Sequence, residues 1–297
     1  VNRVFLSSPA KINLYLEVVG PRSDGYTNVV LVFQSIALAD RVALQNAPET
    51  TIRCQHPAVP CDETNLAYRA VQLIQELTGI QQGVQVEIEK NIPVAAGLAG
   101  GSGNGAAVLV GLNQLWELGL NAQQLAGLGA HLGSDVPFCL RGGTALGYGR
   151  GEVLASLTSP GLLPLVLAKP RTLAVSTAWA YRTFRELAES HAGGHLALFL
   201  SNLVDPRSKP LSSLLYNDLE RAVLPHHPLV QRLKTHLQDR GGLGVLMSGS
   251  GPTIFALAQD LDHAHELADS LDPAEYEIFV TTTQDQGVIL TGSIQEF

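Results

Sequence analysis

At 297 residues the chain is long enough for two domains with cores of their own, and 45% hydrophobic against 15% charged residues excludes a disordered protein. A net charge of −8 with no basic run argues against nucleic acid and against anionic membrane surfaces as partners. Nothing in the composition fixes an oligomeric state.

The first apolar stretch, Val4 to Val19, is interrupted by Lys11, Asn13 and Glu17, so it reads neither as a signal sequence nor as a membrane span. The expectation is a cytoplasmic protein, or a plastid stromal one if a leader once preceded Val1. Strands are predicted at 2–8, 11–19, 28–38 and 40–45, with a turn over Gly20 to Gly25. Cys54 and Cys61 follow; with Cys139 they lack C-x-x-C spacing, and all three read as reduced, buried filler. Thr64 is the expected cap of a helix carrying Leu66, Ala70, Leu73, Ile74 and Leu77, stopped by Gly79.

Strand 84–90, a glycine-rich loop and helix 104–117 come next. Asn121 can cap a helix ending near Gly133, and a short helix begins around Ser134 and Asp135. Strands at 143–148 and 152–157 close the first half, and Ser159-Pro160-Gly161 punctuates the chain, giving expected domains of 1–158 and 159–297. Beyond it the pattern predicts a strand at 162–168, helices at 177–190, 212–223 and 228–239, and a strand–loop–strand at 243–258. A helix at 261–271 and strands at 275–283 and 287–292 finish the chain; the last strand could return to the first half. Residues 201–213 read as a mobile surface loop. Strands and helices without strict alternation indicate an α+β protein.

The loop Asn91-Ile-Pro-Val-Ala-Ala-Gly-Leu-Ala-Gly-Gly-Ser-Gly-Asn-Gly105 carries the most chemistry. A glycine-rich turn feeding a helix start leaves backbone N–H groups open to an anion, and the helix dipole adds positive potential there. It is no P-loop, because the chain contains no Gly-Lys dipeptide. Gly101 to Ala106 satisfies G-x-G-x-x-G/A, but a proline-containing loop separates it from its strand and no acid ends a second strand at the required distance. The dinucleotide reading is therefore rejected.

Pro93-x-x-x-Gly97-Leu98-x-Gly100-Gly101-Ser102 resembles the phosphate loop of the GHMP kinases, small-molecule kinases named for galactose, homoserine, mevalonate and phosphomevalonate. Ser8-Pro9-Ala10-Lys11-Ile12-Asn13-Leu14 and Met247-Ser248-Gly249-Ser250-Gly251-Pro252-Thr253 are similar to that family's other motifs, in the same order. Asp24-Gly25-Tyr26, Gly133-Ser134-Asp135-Val136-Pro137-Phe138 and Gly142-Gly143-Thr144-Ala145 resemble one branch more narrowly. Its acceptor is 4-diphosphocytidyl-2-C-methyl-D-erythritol, a cytidine diphosphate derivative of a sugar alcohol in the non-mevalonate isoprenoid route.

The resemblance implies a ribosomal-S5-like N-terminal domain, a ferredoxin-like C-terminal domain and an active site in the cleft between them. It implies ATP with bound Mg²⁺, and phosphorylation of the acceptor's 2-hydroxyl. Pro93, Val94, Ala95, Ala96, Gly97, Leu98, Ala99, Gly100, Gly101, Ser102, Gly103 and Asn104 would hold the ATP phosphates, with Asn65 near the adenine. Asp135 would be the acid/base residue and Lys11 the cation beside it. A neighbouring ammonium favours the carboxylate, which makes Asp135 a weak base that could mainly orient the hydroxyl. From the residues alone, Asp135 reads first as a helix cap, and Lys11 as a snorkelling edge lysine; the matched motifs favour the catalytic roles. Tyr26 and Tyr181 would sandwich the cytosine, and Asn13 would hydrogen-bond the acceptor.

Two departures stand out. Thr27 follows Asp-Gly-Tyr where the family usually has histidine, so cytosine discrimination is expected to be weaker and to improve in Thr27→His. Gly103 stands where a hydroxyl residue is usual, and Gly105 where alanine is common; the expectation is a softer loop and a raised KM for ATP, lowered by Gly103→Ser. Two rival readings are a weakly active or non-catalytic nucleotide- or metabolite-binding homologue, and a kinase for homoserine or mevalonate. The pairs His226/His227 and His263/His265 lack metal-site geometry without further ligands, and His191/His195, though spaced i, i+4, are separated by Gly193-Gly194, so no metal held by side chains alone is expected.

Overall fold

A computed structural model describes residues 2–187, 194–205 and 209–294. The first half comprises β1 (Arg3–Pro21), β2 (Thr27–Ala47), β3 (Thr51–Cys54), α1 (Leu66–Thr78), β4 (Gly83–Glu89), α2 (Gly100–Leu115), α3 (Ala122–Leu132), α4 (Val136–Arg141), β5 (Thr144–Gly149) and β6 (Val153–Ser156). The second comprises β7 (Pro164–Pro170), α5 (Thr177–Glu186), α6 (Leu196–Val204), β8 (Tyr216–Asn217), α7 (Glu220–Val223), α8 (Pro228–Asp239), β9 (Gly244–Met247), β10 (Ile254–Leu257), α9 (Leu261–Asp269), β11 (Tyr276–Thr282) and β12 (Ile289–Ile294).

The four strands expected before residue 47 are two long ones. Register shifts between Pro9 and Lys11, and between Asn13 and Tyr15, absorb the irregular residues as bulges while β1 continues against β2. The larger sheet runs β12-β1-β2-β4-β3, with β5 and then β6 extending from β2. The edge of β1 turned away from β2 is shared: β12 pairs with Arg3–Ser7, and β8 pairs in parallel with Tyr15–Leu16. The gap between them is where the site is built. The smaller sheet runs β11-β7-β10-β9, antiparallel throughout.

One core packs α1 and α2 on the larger sheet through Leu44, Val86, Ala70, Ile74 and Leu109. A second packs α8 and α9 on the smaller sheet through Val166, Ala256, Leu233, Leu237 and Leu267. A third joins the two sheets, with Ile12 and Val32 meeting Leu165, Phe255 and Phe199. Burying one Phe or Leu side chain contributes about 1.5–3 kcal/mol, so this shared core holds the two halves in register.

Local departures have physical causes. Asn65, not Thr64, caps α1: its side chain accepts from Ala67 N–H, while the Thr64 hydroxyl donates to Asp62. Helix α2 starts at Gly100 instead of 104, because the glycines themselves form its first turn. The expected loop at 201–213 begins inside a helix, α6, whose Phe199 and Leu203 are buried; residues 206–208 lie outside the described ones. The helix expected at 212–223 is broken, because Tyr216 and Asn217 are drawn into strand pairing with β1, leaving only α7 helical after them. Residues 188–190 of the helix expected at 177–190, and His191, lie outside the described residues. Only Cys139 is buried as expected of the cysteines; Cys54 is half-buried and Cys61 exposed. No helix among the described residues is long and apolar enough to cross a membrane.

Candidate active site

A cleft of about 870 Å³ lies between the halves, and every candidate residue taken from the sequence except Gly103 lines it. The glycine loop reaches the gap in β1: Lys11 N–H donates to Leu98 O at 3.1 Å, so the loop continues the sheet where no strand does. Gly97 adopts φ +73°, and a Cβ there would lie 2.3 Å from Ser248 O. Only glycine fits that approach. The Gly97 carbonyl accepts from both Lys11 Nζ (3.0 Å) and Ser248 Oγ (3.1 Å), which locks the loop to both halves of the chain.

Ala95 and Ala99 hold positive φ, at 52° and 58°. Such strain in a non-glycine residue is kept only where surroundings impose it. Ala99 caps α2 in this left-handed conformation and provides no side-chain acceptor, so no side chain caps the helix N-terminus. An anion is the natural complement of such an end.

A residue that sequence reasoning missed anchors the loop. Asp40 is fully buried; its Oδ1 accepts from Asn91 N–H and Ile92 N–H (both 2.8 Å) and its Oδ2 pairs with Lys90 Nζ. With its amide turned to satisfy its neighbours, Asn104 also donates to Asp40 Oδ2 at 2.9 Å. Burial holds the Lys90 ammonium below its ordinary pKa, against the opposing pull of Asp40. One carboxylate thus ties both ends of the loop. An acid in the strand-like run Ala39-Asp40-Arg41 was the one available signal.

Lys11 is not an edge lysine. Its backbone is flanked by β2 and by Leu98, its side chain is 6% exposed, and its Nζ donates to Asn13 Oδ1 at 2.7 Å. Nζ lies 3.8 Å from Asp135 Oδ2. Asp135 precedes α4, yet its backbone is αR and its side chain makes no capping bond. The carboxylate therefore turns to the cleft instead of serving the helix. Phe138, one turn later, stacks on Phe33 of β2 with centroids 4.7 Å apart, which seats α4 and so fixes Asp135. Asn13 leaves its Nδ2 buried with no partner, a donor awaiting an acceptor.

At the far end, Tyr26 is 53% exposed with the Arg150 guanidinium 4.8 Å above its ring. Tyr181 projects from α5; burial, with the Asp135 charge adding to it, pushes its hydroxyl well above the ordinary range and keeps it neutral. Thr27 is buried and its Oγ1 accepts from Arg185 at 3.4 Å. Arg150, Thr177 and Ser250 also line the cleft; Arg185 was not anticipated, although it falls four residues after Tyr181 on one helix. Thr177 Oγ1 and Ser250 Oγ meet at 2.9 Å, tying α5 to the loop after β9.

Gly103 is the one candidate that does not line the cleft. It is buried in the first turn of α2, away from the cleft, and a Cβ there would lie 2.5 Å from Ser8 Oγ. Its glycine answers a packing demand, since a side chain there would meet Ser8. Among the described residues no three His, Cys, Asp or Glu side chains cluster as metal ligands.

Residues 65–143 match the model of the GHMP kinases N terminal domain, and 199–278 match GHMP kinases C terminal. A 4-diphosphocytidyl-2-C-methyl-D-erythritol kinase of Gloeobacter violaceus is 52% identical over 295 residues, covering 98% of this chain and 97% of its own. The chain belongs to the GHMP kinases. This GHMP kinase is also 50% identical to the enzyme of that same name from Synechococcus sp. (strain JA-3-3Ab), over 96% of the chain and 95% of the relative. A crystal structure of 4-(cytidine 5'-diphospho)-2C-methyl-D-erythritol kinase superposes with TM-score 0.78 at 34% identity, over 94% of this chain and 98% of that one. A homoserine kinase from Cytophaga hutchinsonii shares the fold at TM-score 0.76 and 20% identity, over 98% of each chain. The α+β, two-domain architecture is the family's.

Proposed function

We propose that this GHMP kinase transfers the γ-phosphoryl group of ATP to the 2-hydroxyl of 4-diphosphocytidyl-2-C-methyl-D-erythritol, in the cytoplasm. The observation that carries the reading is the Lys11–Asp135 pair, 3.8 Å apart, in the same cleft as the uncapped N-terminus of α2 and the two tyrosines. Phosphoryl transfer asks the protein mainly for positioning and charge stabilisation. The N–H groups of the glycine loop receive the phosphates, and Asn65, which lines the same cleft, takes the nucleoside end of ATP. The 4-diphosphocytidyl group stacks between Tyr26 and Tyr181, and Asn13 Nδ2 donates to the acceptor.

Asp135 accepts the hydrogen bond of the attacking hydroxyl and takes its proton as the new O–P bond forms. The bond from Pγ to the β-phosphate oxygen breaks, and its electron pair leaves on ADP. Lys11, held by Asn13 and Gly97, supports the charge on the moving group. A Mg²⁺ ion fits the donors present, since Asp135 offers one carboxylate and Ser102 one hydroxyl, and it would neutralise phosphate charge when bound with ATP.

The test is ADP release with Mg-ATP and 4-diphosphocytidyl-2-C-methyl-D-erythritol beside homoserine and mevalonate. Turnover of the cytidyl acceptor alone is expected. Preferred turnover of either small acceptor would overturn the assignment, and ATP binding without any turnover would favour a non-catalytic homologue.

A further inference from the structure

The side chains lining the cleft include four cations and a single acid, Asp135, in a chain of net charge −8. Three of the cations are already paired: Lys11 with Asp135, Lys90 with Asp40, and Arg150 with Glu152. Arg185 alone has no carboxylate partner among the described residues. Its one hydrogen bond goes to the neutral Thr27 hydroxyl, reaching from α5 across to the start of β2.

We propose that Arg185 is an acceptor-recognition residue that binds a phosphate of the substrate's diphosphate, a role that rests on the function proposed above. Tyr181 and Arg185 are one helical turn apart on α5, so the residue that stacks on the base and the residue that holds the adjoining anion share one rigid element. The Thr27 bond restrains the guanidinium before substrate arrives, which lowers the ordering cost of binding. Thr27, next to Tyr26, thereby acts through Arg185 and not on the base directly. A guanidinium is suited to this task because it offers several donors in a plane to phosphate oxygens.

Arg185 is exposed, so Arg185→Gln should fold as the native chain does. Binding of cytidine, CMP and CDP is measured by calorimetry with the ATP side saturated by a non-hydrolysable ATP analogue, beside steady-state kinetics. Arg185→Gln is expected to weaken CDP about tenfold, in line with loss of one charge-assisted hydrogen bond, and to leave cytidine unchanged. The acceptor KM should rise by a similar factor, with the KM for ATP unmoved and a flatter dependence on salt. Arg185→Lys should recover part of the CDP affinity, and Thr27→Val should weaken CDP by less than Arg185→Gln does. An equal loss for cytidine and CDP would make Arg185 a base or folding contact and overturn the proposal, as would no loss for either. Native protein that binds CDP well above cytidine, but turns over no cytidyl acceptor, would sink the proposed function and leave the Arg185 measurement readable.

Discussion

Replacing Gly103 tests whether packing or chemistry put glycine in the first turn of α2. A Cβ at 103 would lie 2.5 Å from Ser8 Oγ, with Pro9 O next at 3.6 Å and Ser8 Cβ at 3.9 Å. Ser8 is fully buried in β1 and its hydroxyl has no hydrogen-bond partner, so it can yield to the new Cβ only by turning within a packed core. Overpacking of this kind costs about 1–3 kcal/mol. Alanine in place of glycine in a helix returns up to roughly 1 kcal/mol, and less in a first turn. Gly103→Ala should therefore destabilise the native chain by about 1–2 kcal/mol. In a Ser8→Ala background the nearest remaining contact is ordinary, and the same substitution should be neutral or stabilising. Urea unfolding of the four proteins gives the coupling directly, expected at about 1–3 kcal/mol with m unchanged. The KM for ATP should not follow the stability change, because Gly103 does not face the cleft. A coupling below about 0.5 kcal/mol would refute the reasoning, because independent sites add to within that margin. A fall in KM for ATP in Gly103→Ser would restore the expectation drawn from the sequence.

Other perturbations give separate readings. Asp40→Asn leaves buried Lys90 without its counter-charge and should cost about 3–5 kcal/mol in thermal or urea unfolding, with a raised KM for ATP because both ends of the loop lose their anchor. Phe138→Ala should cost about 3–5 kcal/mol and lower kcat more than it raises either KM, since α4 loses its seat on Phe33. Of the cysteines, exposed Cys61 should react first with a thiol reagent, and Cys139, whose thiol burial pushes up strongly, should react only on unfolding; mass spectrometry of the time course checks the order.

The parts of the molecule legible in the sequence were those written in local chemistry. Alternation announced β4, Asn121 announced α3, which it closes in a capping box with Gln124, and the glycine run announced the start of α2. What stayed hidden depends on partners distant in sequence. Tyr216 and Asn217 become a strand only because Tyr15 and Leu16 lie beside them. The role of Asp40 depends on Lys90 and Asn104, and that of Gly103 on Ser8. Arg185 could be placed on the face of α5 that carries Tyr181, but its meeting with Thr27 spans 158 residues. Asp135 shows the same limit from the other side: the sequence offered a cap or a catalytic acid, and the αR backbone with no capping bond speaks only against the cap.

The most direct test of the phosphoryl-transfer mechanism is kcat of Asp135→Asn with Mg-ATP and the cytidyl acceptor, measured beside the binding constants of both substrates. A loss of roughly 10²–10⁴ in kcat, the usual worth of a positioned general base, with both substrates still bound, is the predicted result. Asparagine keeps the size of the side chain and removes its charge and basicity, so turnover within about tenfold of the native rate would contradict the role given to Asp135.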